Sequence, residues 1–388
     1  MSRGKLPVLR RREPLRVGFL PTSDCAPLAY AKEVGLFEQH GVEVELVRES
    51  NLANLRDKVI SGELDAAQAT ASLPFLANLG IESDPASLVT GLVLNLQGNA
   101  IAISRQLWER GVRDAHTFRD RIFQDWGKRT YTFGVVFPMS SQYFLLRRWL
   151  KSGGIPPEAR IRIVTIPPSQ MFPTLKLGYI DGFCVGEPWT SVAVEAGVAM
   201  CVSTSAELDP LHPEKVLVVR QSFAAGHAEA HEQLIAALLR ACAFCDQDGN
   251  RRLLSEILAQ PQYVNAPAEC LRAGLVGPYC RGEPPAQVPR ELNIFYRDGA
   301  NEPGDDKAAW VIENLYDVLE QSAFRAQEIP AAPVLKNIFR KDIFDRAKHL
   351  APTANGEING FAGQNSALSR TFAPSNNPVQ ASSLANGD

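Results

Sequence analysis

The sequence predicts an α/β protein built as two lobes facing each other across a cleft, and three observations carry that expectation. Two stretches of the chain follow the same strand–helix–strand–helix–strand plan. Both copies keep the same interval, since Gly18 to Asp65 and Gly134 to Asp181 each span 47 positions. Two extended, β-branched segments, 94–104 and 215–223, suit strands that carry the chain from one lobe to the other. Duplicated units of this kind make largely parallel sheets covered by helices, and ligands bind where strand C-termini and helix N-termini face the cleft.

The first copy runs VGFLPTSDCAPLAYAKEVGLFEQHGVEVELV and then DKVISGELDAAQAT; the second runs FGVVFPMSSQYFLLRRWLKSGGIPPEARIRIV and then PTLKLGYIDGFCVGEP. Each opens on a short apolar strand and a turn rich in Pro and Ser. An amphipathic helix follows, with an N-cap candidate (Ser23 or Asp24; Ser140 or Ser141) and an end near glycine (Gly35; Gly153 and Gly154). A second strand alternates (Val42, Val44, Leu46; Ile161, Ile163), and another helix closes on G-x-[LI]-D before the third strand. Further helices are expected over 229–246, 251–259 and near 307–322. The domain reading is an N-terminal arm over 1–14, a first lobe of 15–103 plus about 216–345, and a second lobe of 104–215. The stretch 351–388, rich in Asn, Ala, Ser, Gly and Pro, reads as a disordered tail or tether.

Composition narrows the function classes. The 388 residues are 45% hydrophobic and 21% charged, with a formal net charge of −3, which supplies real cores and no global basic field for nucleic acid. No run of about 18 apolar residues is present to span a membrane. The basic start MSRGKLPVLRRREP could open a secretory signal, but two prolines and an aspartate interrupt the following apolar segment. Cleavage after Ala31 would also delete a strand and half a helix that the second copy retains, so no signal peptide is expected. Seven scattered cysteines read as reduced thiols of a cytoplasmic protein. The pair Cys242 and Cys245 falls on a helical apolar face without a second ligand pair, and His227 and His231 lack a third ligand, so no metal is expected. Neither phosphate-binding glycine loops nor H-E-x-x-H, G-x-S-x-G or a Cys-His arrangement occurs, which favours a binding protein over an enzyme and implies no cofactor.

One run stands out: DGFCVGEPW, residues 181–189, where an apolar strand stops on glycine, carboxylate and proline in succession. Its Asp181-Gly182 is mirrored by Asp65-Ala66 and is architecture, whereas Gly186-Glu187-Pro188 has no counterpart in the first copy's AAQATAS. Glycine lets a ligand approach the backbone closely, and a proline can start a helix whose N-terminus favours negative charge; a plain strand-to-helix turn is the alternative.

Together with SDCAPLAYAKEVGLFEQHGVEVEL, NLANLRDKVISGELDAAQ, LNLQGNAIAIS and HPEKVL, this run resembles the NrtA/CmpA type of nitrate- and bicarbonate-binding proteins, in collinear order over roughly residues 15–345. The resemblance implies the two-lobed periplasmic-binding-protein-like fold (type II), with lobes joined by crossover strands. Exported members carry a lipoprotein signal and linker, and the chain looks more like the family's cytoplasmic nitrate/nitrite sensors of the NasS type. Such sensors hold a two-domain RNA-binding antiterminator of the NasT type inactive until nitrate or nitrite binds, and touch neither nucleic acid nor membrane directly. The alternative is the substrate-binding component of an ABC importer. A remoter one, a thiamine-pyrimidine synthase, shares the fold, but its CCCFC motif is absent.

The resemblance also implies ligand positions. Gly186 matches a glycine that offers backbone N–H to the anion. Lys215 matches the lysine aimed at the anion by nitrate-selective members, where bicarbonate-binding relatives place a glutamate; by residue type alone it would be a surface lysine. Gln142 lies where histidine is common, and an amide donates without depending on pH; a solvent-facing helix residue is the alternative. Gln97 and Asn99 fall where the family places an amide, and strand alternation would point both the same way. Leu52 replaces a tryptophan that packs over the ion, which thins that wall. Glu187 and Trp189 are expected to be structural, with Glu187 capping.

Overall fold

The computed structural model describes residues 13–351 apart from 157, 158, 160, 278, 283–291 and 322–336. Apart from Glu13, Pro14 and Ala351, the N-terminal arm and the tail lie outside the described residues. In chain order the strands are β1 (Leu15–Phe19), β2 (Val44–Arg48), β3 (Ala66–Thr70), β4 (Leu88–Gln97), β5 (Asn99–Ser104), β6 (Tyr131–Val135), β7 (Ile161–Thr165), β8 (Gly182–Gly186), β9 (Ala199–Thr204), β10 (Pro213–Arg220) and β11 (Asn293–Ile294). One sheet has the order β11-β4-β10-β3-β1-β2 and the other β7-β6-β8-β5-β9.

Each repeat supplies three adjacent parallel strands: β2-β1-β3 in one sheet, β7-β6-β8 in the other. Next to them lies a strand arriving from elsewhere in the chain, β10 against β3 and β5 against β8, and both run antiparallel. The sheets are therefore mixed, and the expectation of largely parallel sheets holds only within the repeats. A crossing strand enters from the cleft side, where the repeat strands end, so its direction is reversed.

The duplication is kept down to single hydrogen bonds. Gly134 follows Gly18, and Asp181 follows Asp65, by the same 116 positions. Asp65 accepts from the Arg16 amide at 2.9 Å, and Asp181 accepts from the Thr132 amide at 2.8 Å, again 116 positions on. In return the Asp65 amide donates to the Arg16 carbonyl at 2.9 Å and the Asp181 amide to the Thr132 carbonyl at 2.7 Å. The paired glycines have one reason too. A Cβ on Gly18 would lie 2.4 Å from Leu55, and one on Gly134 would lie 2.8 Å from the Met171 sulfur, so in each repeat a side chain packs directly on the first strand.

The helices cover these sheets. In the second lobe Phe118, Tyr131, Phe133 and Trp149 form an aromatic core, with Phe118 and Trp149 stacked at 5.7 Å. In the first, Tyr30 stacks at 3.8 Å on Phe244 of the helix Ala228–Cys245. Each such buried side chain contributes about 1.5–3 kcal/mol by leaving water. The Cys242–Cys245 pair lies on that helix with both thiols buried, and burial pushes both well up, the state of inert core thiols.

The segment 94–104, expected as one crossover strand, is two. Gln97 at φ +62 and Gly98 at φ +101 turn the chain, so that β4 ends in the six-stranded sheet and β5 starts in the five-stranded one. Residues 99–103 thus pair with the second repeat's strands rather than with those of the first-lobe span 15–103. A Cβ on Gly98 would lie 2.1 Å from the Asn293 Oδ1, so a side chain there is excluded by space as well as by conformation.

Candidate functional site

The C-terminal ends of β3 and β8 meet the starts of β10 and β5 at one point. There, Lys215 stands opposite Thr70 in antiparallel register, and Asn99 stands opposite Gly186. Thr70 and Gly186 are themselves 116 positions apart, so the two crossing strands dock on equivalent ends of the duplicated units.

A cavity of about 10 Å³, room for about one water molecule, opens at this point. The first repeat lines it with Leu20, Thr22, Leu52 and Thr70, the second with Val136, Gln142, Pro168 and Gly186, and β10 adds Lys215. Of the six residues expected from the sequence, Leu52, Gln142, Gly186 and Lys215 line the cavity. Asn99 adjoins it, its side-chain oxygen accepting from the Gln142 amide at 2.8 Å. Gln97 is not brought in. The turn at Gly98 puts it in the other sheet, beside Asn293, so the expected shared direction of Gln97 and Asn99 fails.

Lys215 is only 3% exposed, which excludes the surface-lysine reading. Its ammonium is 2.9 Å from Asp24 and also contacts Glu214. Burial alone would pull this ammonium down, but Asp24 and Glu214 outweigh it and hold Lys215 above its ordinary value. Glu214 is fully buried; burial pushes its carboxyl up, and the charge and hydrogen bonds around it, the Lys215 ammonium first, more than reverse that, so it stays ionised. Asp24 is in turn held by the Gln68 amide at 2.7 Å and the Thr22 hydroxyl at 2.6 Å.

Glu214 gathers the remaining donors. One carboxylate oxygen accepts from the Gln142 amide at 2.6 Å and from Lys215, and the other accepts from the Asn99 amide at 2.5 Å. Adjacent strand residues ordinarily point to opposite faces, but β10 shifts register against β4 around Lys215, and the irregularity lets Glu214 and Lys215 reach the same site.

Sequence reasoning missed Asp24, Glu214, Thr22 and Thr70 as site residues. Asp24 is, with Ser23, one of two N-cap candidates in the sequence; the helix Ala26–Glu33 has no side-chain cap bond, and the Asp24 carboxylate faces the cleft instead. Its counterpart Ser140 does cap, accepting from the Tyr143 amide at 3.3 Å. A signal for Glu214 was available, since a carboxylate beside a lysine at the head of the apolar run VLVV needs a buried partner.

Glu187 turns away from the cavity. It accepts from the Ser191 amide and hydroxyl at 3.2 and 2.6 Å and from the Tyr279 hydroxyl at 2.6 Å, so the helix Trp189–Glu195 is capped by this side chain. Burial raises its carboxyl, only partly offset by the Ser191 and Tyr279 bonds. Nearby contacts tie the repeats together: the Trp189 indole donates to the Pro21 carbonyl at 2.8 Å, the Ser23 amide to the Glu187 carbonyl at 2.6 Å, and the Thr70 and Ser141 hydroxyls meet at 3.1 Å. Among the described residues, no group of three or more His, Cys, Asp or Glu is placed to hold a metal ion, and no helix is long and apolar enough to cross a membrane.

Known proteins share this build. The nitrate import ATP-binding protein NrtC of Synechocystis sp. is 35% identical over 88% of this chain and 51% of its own length. The bicarbonate transport ATP-binding protein CmpC of the same organism is 36% identical over 78% of this chain and 45% of its own length. The chain thus spans about half the length of these two relatives. The nitrate/nitrite binding protein NrtA of Nostoc sp. is 25% identical over 88% of this chain and 78% of its own length. Among solved structures, the periplasmic nitrate-binding protein NrtA from Synechocystis has a TM-score of 0.79 at 23% identity, covering 88% of this chain and 91% of that one, and shares the two-lobed periplasmic-binding-protein fold. The NMT1-like family description matches residues 10–259, a span that takes in both repeats, both crossing strands and every residue lining the cavity, and the chain belongs to that family.

Proposed function

We propose that this chain is a binding protein, without covalent chemistry, that takes a small planar oxyanion, nitrate or nitrite, where the two repeats' strand ends meet. The observation that carries the reading is the convergence of a buried ammonium (Lys215), two primary amides (Gln142 and Asn99) and a side-chain-free Gly186 around one small cavity. A desolvated ammonium attracts a monoanion several times more strongly than it does in water. The amides add donors that do not titrate, and glycine leaves room against the backbone. Relatives named for nitrate, nitrite and bicarbonate support the ligand class.

In this reading the chain is a cytoplasmic sensor. The anion favours the arrangement in which the repeats grip it, and it shifts the equilibrium only by its differential affinity for that state. The altered surface then releases a partner, an RNA-binding antiterminator of the NasT type. The names of the import and transport relatives favour a second reading, the anion-binding component of an importer. Native protein recovered outside the cytoplasm and processed at its N-terminus would select the importer.

Thermal-shift titration with nitrate, nitrite, bicarbonate and sulfate tests the ligand, repeated on Lys215→Glu. Nitrate or nitrite is expected to raise the melting temperature of the parent protein and not of the variant. No response to either anion sinks the reading, and an unchanged response in the variant removes Lys215 from the site. Pull-down of the antiterminator with and without the effective anion tests release.

A further inference from the structure

The donors assigned to the anion are already engaged. Lys215, Gln142 and Asn99 all donate to the carboxylate of Glu214, which is fully buried. A carboxylate shares the features of nitrate and nitrite that these donors recognise, a planar trigonal or bent group with one delocalised negative charge on its oxygens. We infer that Glu214 is a built-in competitor for the anion seat: its side chain occupies the donor set, and the incoming anion must displace it. The inference rests on the oxyanion reading above and adds the residue that sets affinity there.

Two further observations support it. The first is charge. Asp24, Glu214 and Lys215 form one buried cluster with two carboxylates and one ammonium. A monoanion added with Glu214 in place would be a third negative charge beside a single cation, out of reach of water, which is strongly unfavourable. With Glu214 displaced, the site again holds two negative groups and one cation rather than three and one, because Asp24 keeps its own contact with Lys215 and the anion takes the vacated donors. The second is space. The cavity admits about one water-sized molecule, whereas nitrate has four heavy atoms, so the anion does not fit beside the donors as they now hold Glu214. The register shift of β10 at this residue places the Glu214 side chain where an ordinary strand would turn it to the opposite face.

Calorimetric titration of nitrate and nitrite into the full chain and into Glu214→Gln tests this. The variant keeps the size of the side chain and removes its charge, and it is expected to bind the effective anion at least tenfold more tightly than the parent. Equal or weaker binding by the variant, with clear binding by the parent, overturns the competitor role and leaves the oxyanion site standing. Absence of binding by both overturns the oxyanion reading and the competitor with it. If Glu214→Gln does not fold, Glu214→Asp carries the test. Its shorter reach must raise affinity by a smaller factor, and an unchanged or lower affinity is the overturning result.

Discussion

The two repeats frame the same cavity with equivalent positions and different chemistry. Leu20 and Val136, Leu52 and Pro168, Thr70 and Gly186 are pairs 116 positions apart, and all six line it. One position on the connecting turns has diverged sharply: Asp24 faces the Lys215 ammonium, while its counterpart Ser140 caps a helix. Another pair is Ala26 and Gln142, of which only Gln142 carries a donor to the site. The charged groups Asp24, Glu214 and Lys215 therefore belong to elements of the six-stranded sheet's lobe, and the amides and the open glycine to the other. The duplicated backbone decides where the walls stand, because strand ends and register repeat. Divergence at a few wall positions decides what chemistry those walls present.

Charge is the largest difference between the halves, so removing it gives the largest expected effect. Lys215→Met leaves Asp24 and Glu214 buried without their cation and should cost about 3–5 kcal/mol of unfolding free energy in urea denaturation. A loss below about 1 kcal/mol would mean that the cluster is not formed in solution. A middle-sized effect tests the shared part. Asp65→Ala and Asp181→Ala each strip a buried acceptor from the equivalent backbone amide and should each cost about 1–3 kcal/mol. If only one of the two is costly, the repeats are not energetically equivalent. The smallest effect on stability is expected at Gly186. A Cβ there would lie 3.5 Å from Asp24 and Thr22, ordinary contact distance, so Gly186→Ala should change stability by less than about 0.5 kcal/mol. It should nonetheless weaken the thermal response to the effective anion, because the added methyl points into the seat. An unaltered response would place the anion away from the second repeat's strand end.

Much of this was legible in the chain. The 47-residue interval and the G-x-[LI]-D closures located both repeats, and the aspartates that close them proved to make the same bond twice. Gly186 was legible because its Gly-Glu-Pro ending broke a symmetry that the rest of the repeat obeyed. Lys215, Gln142 and Leu52 came through resemblance, and the fold brings all three to one cavity with Gly186. Gln97 did not follow, because alternation assumes one continuous strand and the positive φ angles at Gln97 and Gly98 end it. Asp24 and Glu214 stayed hidden since each has a local explanation, a helix cap and a polar strand start, that only long-range contacts replace.

Local periodicity and an exact internal interval are properties of the chain, so the sequence by itself determined the repeats, their strand and helix order and the strand ends that frame the cavity. Which side chains meet there depends on how crossing strands exchange between sheets and where β10 slips its register. Those are long-range choices made by packing. Tertiary structure alone therefore decided that Lys215 is buried between two carboxylates, that Asn99 serves the site and Gln97 does not, and that Glu214 holds the donors.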